Sequence, residues 1–575
     1  MGFLRDDYLA SALLIAGLGA CSSDDVTVSN AGQPQWDANG KGYISLNINL
    51  PQEKSNRAND KFDDGEASEY AIHNAKLLLY KGASAAAATY AATYTLNTTG
   101  FNGVTDDPNQ VTASGVVVQK IDKIALNEGE NLYALVVLND NNQVPEKAEL
   151  SKDAQQLTVD QLTKYGIFMT NAPLYTAPGG TNEEPKGELQ TLVPVDVKAI
   201  KSTLEEAALA PAANVFVERA VGKVEVKTAD FKLANVHNPL MKEDAFKVLG
   251  WVLDQTNNKS FYVRNMDGAN WWTLKAAANG DYRFVGTAPV KTRTNLYRTY
   301  WANDPNYNAE VAEGDLTTRD MQQLQESDFT VAGKYVYCLE NTTNRENMQS
   351  KNLTRVVVGV AFDINPKTTE YDDFYILNGN SSVYYDEQGV TNEVKRQILN
   401  AILPDLSQYL TAGTMTAENL AFAFMQKGMH EGYRIVDGNT LKIKAGSDWA
   451  YVEGGEAKLK AKMLEVIGNV NHNMTIAYYK GGVNYYPVYI KHFGDEQTPW
   501  TDNGTGEAYD SDDNYLGRYG VLRNNWYEVN VKSVRNFGEP EVPEGTIDTP
   551  DPTDSFMSVE INVLSWAKRA QNADL

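Results

Sequence analysis

A mainly β chain in two domains, the second carrying a helical insertion, is the fold class this sequence predicts. Three observations lead there. Apolar residues recur at every second position in many short runs, beginning with Ile44, Leu46, Ile48 and Leu50. The 575 residues include 32 Tyr and 9 Trp, side chains that suit pleated, half-buried surfaces. Helical spacing is confined to two stretches between 394 and 427. A chain of this length holds two to four domains, each with room for a core.

Residues 22–40 are rich in Ser, Asp, Gly and Asn and read as a leader. Tyr43–Leu50 then alternates cleanly and stops at Pro51, which has no N–H for a ladder. Burial of its four Ile/Leu side chains contributes on the order of 6–12 kcal/mol, at roughly 1.5–3 each. The following stretch, Gln52–Asp60, is polar and holds a lone Arg57, an open site for a protease to cut before Ala58. Such a cut would sever a core strand from the body of the protein, leaving an apolar groove and two unpaired strand edges that a neighbour's strand could fill; the segment reads equally as a first strand followed by a hinge loop.

Further strands are predicted at His73–Tyr80, Val116–Ile121, Asn131–Asn139 and Leu192–Lys198, with Thr158 and Gln161 forming a capping box between them. Asn214–Val226 is too long for one ordinary strand, so it passes between domains, with the boundary near Val221. Past it, strands are expected at Phe246–Asp254, Phe261–Val263, Lys334–Cys338 and Arg355–Phe362. Helices follow at Val394–Leu410, split by Pro404, and Ala417–Lys427. Strands return at Thr475–Tyr479, Tyr485–Ile490 and Trp526–Val531. From Gly538 to Asp554 the chain is Pro-rich and acidic, an extended linker. The last strand, Phe556–Trp566, alternates at Met557, Val559, Ile561 and Val563. Its eleven residues reach about 36 Å, against roughly 26 Å for Tyr43–Leu50, so it could fill the same groove. It could equally fold onto its own domain.

No catalytic constellation is legible. The five histidines (His73, His237, His430, His472, His492) lack metal-ligand spacing, and neither a phosphate-binding glycine loop nor a nucleophile elbow is present. Asp510–Asn514 imitates half a calcium loop, yet Tyr515 and Val521 stand where Gly and Glu are needed, so no metal or other cofactor is expected. A net charge of -24 disfavours nucleic acid as a partner and docking on anionic lipid by charge. The aromatic pairs Trp271-Trp272, Tyr478-Tyr479 and Tyr485-Tyr486 could stack sugars, although packing in a core explains them as well. They leave a monomeric glycan-binding surface protein as an alternative function.

The short apolar run Leu9–Ala20 suits a signal segment, and Leu18-Gly19-Ala20-Cys21 resembles a bacterial lipobox in which Cys21 is lipidated. Asp6 and Asp7 depart from the usual basic start of such a signal. Ser22-Ser23-Asp24-Asp25 is similar to the signal that sends Bacteroidetes lipoproteins to the outer face of the cell. With Cys21 lipidated only Cys338 remains, so no intrachain disulfide is expected.

Taken with Tyr297–Tyr307, Tyr337–Thr342, Tyr478–Gly482, Ile490–Gly494 and Leu516–Tyr527, and more weakly Arg219–Val224, these features resemble the fimbrillins, type V pilus subunits of Bacteroidetes. The likeness is nearest to stalk subunits of short fimbriae. The resemblance implies two transthyretin-like β-sandwich domains, export as an outer-membrane lipoprotein, removal of the first strand by an Arg-specific protease, and polymerisation by strand exchange at the cell surface, supporting adhesion and biofilm formation. On this sequence it places lipidation at Cys21 and cleavage between Arg57 and Ala58. The displaced strand is then Ile44, Leu46, Ile48 and Leu50, and the donor is Met557, Val559, Ile561, Val563 and Trp566. Expected segments are a signal peptide 1–20, a leader with the removable strand 21–57, domains 58–221 and 222–538, and a linker with the donor strand 539–575. Partners would be further copies of the chain, the protease, and anchor and tip subunits; a tip or anchor role is the other alternative.

Overall fold

A computed structural model describes residues 33–50, 66–101, 114–140, 144, 157–178, 187–228, 232–233, 246–266, 284–289, 295–307, 316–317, 329–344, 347–364, 371–380, 383–411, 413–421, 424–426, 433–435, 442–444, 450–494, 498, 516–543 and 557–565. The protein is mainly β.

Eight strands build the first unit: β1 (Lys41–Asn49), β2 (Ala75–Gly82), β3 (Thr89–Thr95), β4 (Ser114–Asp122), β5 (Asn131–Leu138), β6 (Met169–Asn171), β9 (Val193–Val195) and β10 (Ala213–Arg219). Their order is β3-β2-β5-β6-β10-β1-β4, with β9 also on β5. Strand β10 serves two neighbours in succession. Its first half runs parallel to β1, and Val217–Arg219 runs antiparallel to β6. Leu77, Leu79, Ala134, Val136, Val215 and the Ile/Leu side chains of β1 meet in one apolar core. Two short helices complete the unit. α1 (Val159–Thr163) opens on a capping box between Thr158 and Gln161, and α2 (Leu204–Ala208) is capped by Thr203.

Past Ala220 the chain continues straight into β11 (Val221–Lys227), so one nearly continuous run serves both units. β11 lies between β18 (Tyr335–Leu339) and β27 (Asn525–Val534); β12 (Lys232–Leu233) extends it along β27. The terminal strand β28 (Met557–Ser565) pairs antiparallel with β27 along its whole length. A second sheet joins β13 (Phe246–Asp254), β19 (Arg355–Phe362) and β26 (Val483–Tyr489). Val224, Val226, Trp251, Val356, Val358, Tyr527 and Val529 close the core between these sheets. Pro487 is accommodated because β26 is an edge strand.

The helical insertion packs α3 (Glu387–Ile402) and α4 (Gly455–Asn473) on the pair β20 (Phe374–Leu377) and β25 (Ile476–Tyr479). The two units also share a sheet, in which β7 (Leu174–Tyr175) and β8 (Leu189–Gln190) join β15 (Val285–Pro289) and β16 (Tyr297–Thr299). Three short pairs complete the strands: β14 (Thr256–Asn257) with β17 (Leu316–Thr317), β21 (Leu420–Ala421) with β24 (Lys442–Ile443), and β22 (Phe424–Gln426) with β23 (Tyr433–Ile435).

Several expectations need correction. Ala417–Lys427 is no α-helix: a single 3-10 turn, Ala417–Asn419, leads into β21 and β22. Phe261–Val263 is buried but irregular. Pro404 ends α3 as expected, and the chain goes on as a 3-10 turn, Leu403–Gln408. Helix α4 was not anticipated, though Leu459, Met463, Val466, Ile467 and Val470 carry its buried stripe at helical spacing.

Candidate strand-exchange site

Strand β1 is an interior strand. It pairs antiparallel with β4 from Lys41↔Asp122 to Asn49↔Ser114, and parallel with β10 from Leu46↔Ala213 to Asn49↔Phe216. Ile44, Leu46 and Ile48 are fully buried and Leu50 nearly so, all in the first core. The other face of β1 is partly covered, with Ser45 and Asn49 buried and Lys41, Tyr43 and Asn47 half-buried. Helix α2 lies against β1 and β4 with Ala207 fully buried, and Ser45, pointing away from the apolar core, is fully buried with no partner for its hydroxyl. Asn47 donates to Asn214 Oδ1 at 2.9 Å, and Asn49 donates to the Val215 carbonyl at 3.2 Å. At the start of the strand, Trp36 and Ile200 press on Gly42, where a Cβ would come within 2.9 Å of both.

Taking β1 out would therefore uncover a slot with an apolar floor and two strand edges, β4 and β10. The four expected displaced residues are the side chains that occupy that slot. Arg57 and Ala58, at the expected cut, lie outside the described residues, as does Cys21. Of the expected donor residues, Met557, Val559, Ile561 and Val563 sit on β28, opposite Val534, Val531, Val529 and Tyr527 of the chain's own β27. Ile561 is half-buried against the second core; Trp566 lies outside the described residues. In this structure the terminal strand is thus an added edge strand of its own domain.

Sequence reasoning missed the clamp beside the expected cut. Glu69 is buried, and its carboxylate accepts from Lys223 Nζ at 2.9 and 3.1 Å and from the Tyr337 hydroxyl. The Lys223 ammonium lies 3.9 Å from the Trp526 ring centre and 4.0 Å from that of Tyr335. Arg219 donates to the Glu69 carbonyl and stacks over Tyr70. Burial, reinforced by the bond to Glu69, pushes the Tyr337 hydroxyl far above its usual range. Residues 66–70 are thereby fixed onto β11, β18 and β27 of the second unit. Lys223 in the run Val221–Val226, whose other charged residue is Glu225, was the available signal, since a buried cation needs a partner.

The remaining chemistry is structural. Burial holds the His492 imidazole down at about 3, and its Nδ1 and the Tyr527 hydroxyl share a hydrogen bond at 2.8 Å. Burial pushes the Cys338 thiol up to about 12. Among the described residues no group of three or more His, Cys, Asp or Glu could hold a metal. Tyr479 stacks on Phe374 at 4.4 Å and Tyr485 and Tyr486 are buried, so these three rings serve cores, while Tyr478 is half-buried and stacks on Tyr375 at 4.8 Å. Trp271 and Trp272, like Asp510–Asn514, lie outside the described residues. No helix among the described residues is long and apolar enough to cross a membrane.

Comparison with known proteins places the terminal region. Residues 477–572 match the family of major fimbrial subunit protein type IV, fimbrillin, C-terminal domain. That stretch runs from β25 through β28. No curated protein matches the sequence. Among solved structures, a fimbrilin (fimA) from Porphyromonas gingivalis W83 is 12% identical with a TM-score of 0.35, the match covering 92% of this chain and 99% of that one. The tip fimbrial protein Mfa3 from Porphyromonas gingivalis is 10% identical with a TM-score of 0.28, covering 91% and 100%.

Proposed function

We propose that this chain is a structural fimbrial subunit that polymerises by exchanging strands, its β1 being removed by proteolysis and replaced by the terminal strand of another copy. The observation that carries the reading is β1 itself, an interior strand whose Ile44, Leu46 and Ile48 are fully buried and which ends just before a polar stretch holding a lone Arg57. The fimbrillin match over 477–572 supports the same reading, since it includes the whole terminal strand.

In this scheme Cys21 is lipidated and the precursor waits at the outer membrane. An Arg-specific protease then cuts between Arg57 and Ala58. The stranded groove is filled from a second copy by Met557, Val559, Ile561, Val563 and Trp566, carried on the acidic linker. The two β units would correspond to transthyretin-like sandwiches, and the filament would be the stalk of a short fimbria supporting adhesion and biofilm formation, joined by anchor and tip subunits. Because β28 first lies on β27, it must come away before it can be donated.

Treating the purified full-length precursor with an Arg-specific protease should give filaments under the electron microscope and SDS-resistant ladders. A chain ending at Asp554 should yield folded monomer and neither product. Polymerisation by the truncated chain would rule out the terminal strand as donor.

A further inference from the structure

We infer that the terminal segment enters a second copy in the same direction as β1 and residue for residue, Phe556 to Val563 taking the places of Tyr43 to Leu50; this rests on the exchange reading above. Written in one direction, Tyr43-Ile44-Ser45-Leu46-Asn47-Ile48-Asn49-Leu50 and Phe556-Met557-Ser558-Val559-Glu560-Ile561-Asn562-Val563 agree along their length. Aromatic falls on aromatic, four apolar residues fall in phase, and Ser, Ile and Asn are identical. Turning the second segment about Glu560, which keeps its four apolar residues in phase with Ile44, Leu46, Ile48 and Leu50, leaves no identity.

The matched positions are those with a definite task in the slot. Ser45 is fully buried on the side where α2 lies, its hydroxyl unpartnered, so the site admits a small side chain and little else. Ser558 supplies the same one. Asn49 donates to the Val215 carbonyl, and Asn562 brings the same amide. Asn47 meets Asn214 side chain to side chain, where the Glu560 carboxylate could accept from the amide. Ser555 replaces Gly42, whose Cβ space is filled by Ile200 and Trp36; Trp36 lies upstream of Arg57 and leaves with the excised strand.

Charge favours the same direction. The residues that pair with Gly40 to Tyr43 are Lys123, Asp122, Ile121, Lys120 and Lys201, three cations to one carboxylate. After excision Lys120 has also lost its contact with Asp37, which departs with the leader. The donor's acidic linker, with Asp548, Asp551 and Asp554, arrives at this end. Reverse insertion would instead bring the donor's Lys568 and Arg569 toward these cations.

Paired cysteines test this. In the inferred register Ser558 stands where Ser45 was, opposite Val118; reversed, it stands at Asn49, opposite Ser114. The full-length precursor carrying Ser558→Cys and Val118→Cys, cut and assembled under oxidising conditions, should give ladders that survive boiling in SDS and collapse with reductant. Ser558→Cys with Ser114→Cys should not, and Cys338, buried, stays silent in both. Crosslinking of the second pair, or of neither while filaments still form, overturns the direction and register but leaves strand exchange standing. Absence of filaments from the unmodified cut precursor overturns strand exchange itself, and this inference with it. As a check independent of cysteine chemistry, replacing residues 556–563 by the order Tyr-Ile-Ser-Leu-Asn-Ile-Asn-Leu should preserve assembly. Writing residues 557–563 in reverse order, which keeps the four apolar positions apolar, should reduce it at least tenfold, and equal assembly by the reversed tail overturns the inference.

Discussion

Replacing Ile48 by Ala separates the part β1 plays before cleavage from the part it plays afterwards. Ile48 is fully buried between β10 and β4, opposite Val215 and Gly115, with Leu46 and Leu50 on the same face. Truncating such a side chain removes three buried carbons and leaves a cavity that rigid sheets close poorly, a cost of about 2–5 kcal/mol. Against a typical stability of roughly 5–15 kcal/mol, the precursor loses a large share. Urea unfolding of the uncut protein should shift to lower midpoint by on the order of 1–3 M, with the slope unchanged. Filaments formed after cleavage should show no difference from wild type, because the altered residue has gone with the excised strand. The counterpart Ile561→Ala should weaken filaments, read as the temperature at which SDS ladders break down. Filaments of Ile48→Ala that fall apart as readily as its precursor unfolds would mean that β1 stays in place, and the reasoning would fail.

Two further outcomes follow from buried groups. Glu69→Gln strands the Lys223 ammonium in the junction between the units and should cost about 3–5 kcal/mol, whereas Glu69→Leu combined with Lys223→Met should recover most of it; thermal unfolding in a double-mutant cycle measures both. His492, held near 3 in the folded protein against 6.5 when free, takes up a proton in the unfolded chain first as pH falls. Its contribution is therefore complete above about 6.5 and is lost progressively toward 3, by up to ~5 kcal/mol. His492→Gln should flatten the fall in urea midpoint between pH 7 and pH 4.5, and an unchanged fall would assign the acid sensitivity elsewhere.

Strands whose side chains alternate, or that are buried on both faces, were legible because the pattern and the burial have one cause. Asn131–Leu138, Arg355–Phe362 and Phe246–Asp254 announced themselves in this way. The continuous run 214–226 also carried its own warning, being too long for one strand, and it breaks at Ala220 between two cores. Ala417–Lys427 misled because its apolar spacing fits a helix over one turn only, and pairing with Lys442 and Ile443 wins from Leu420 onward. The slot was half visible: Ile44 to Leu50 could be read as a buried face, but not the helix over Ser45 or the pairing with β10, which join residues some 165 positions apart. That the last strand lies on β27 could not be chosen over its alternatives, since an amphipathic strand specifies a face and not a partner.

The passage from β10 into β11 has a mechanical meaning for any filament built this way. The slot is edged by β10, while the donated tail follows in sequence from the end of β27, which runs beside β11. Pulling on two neighbouring copies would load this strand pair lengthwise, so that rows of ladder bonds on either side of Ala220 resist together in shear instead of opening one by one. Tension would travel along the backbone through both cores, and the helical insertion, hung on β20 and β25, would ride outside the line of force.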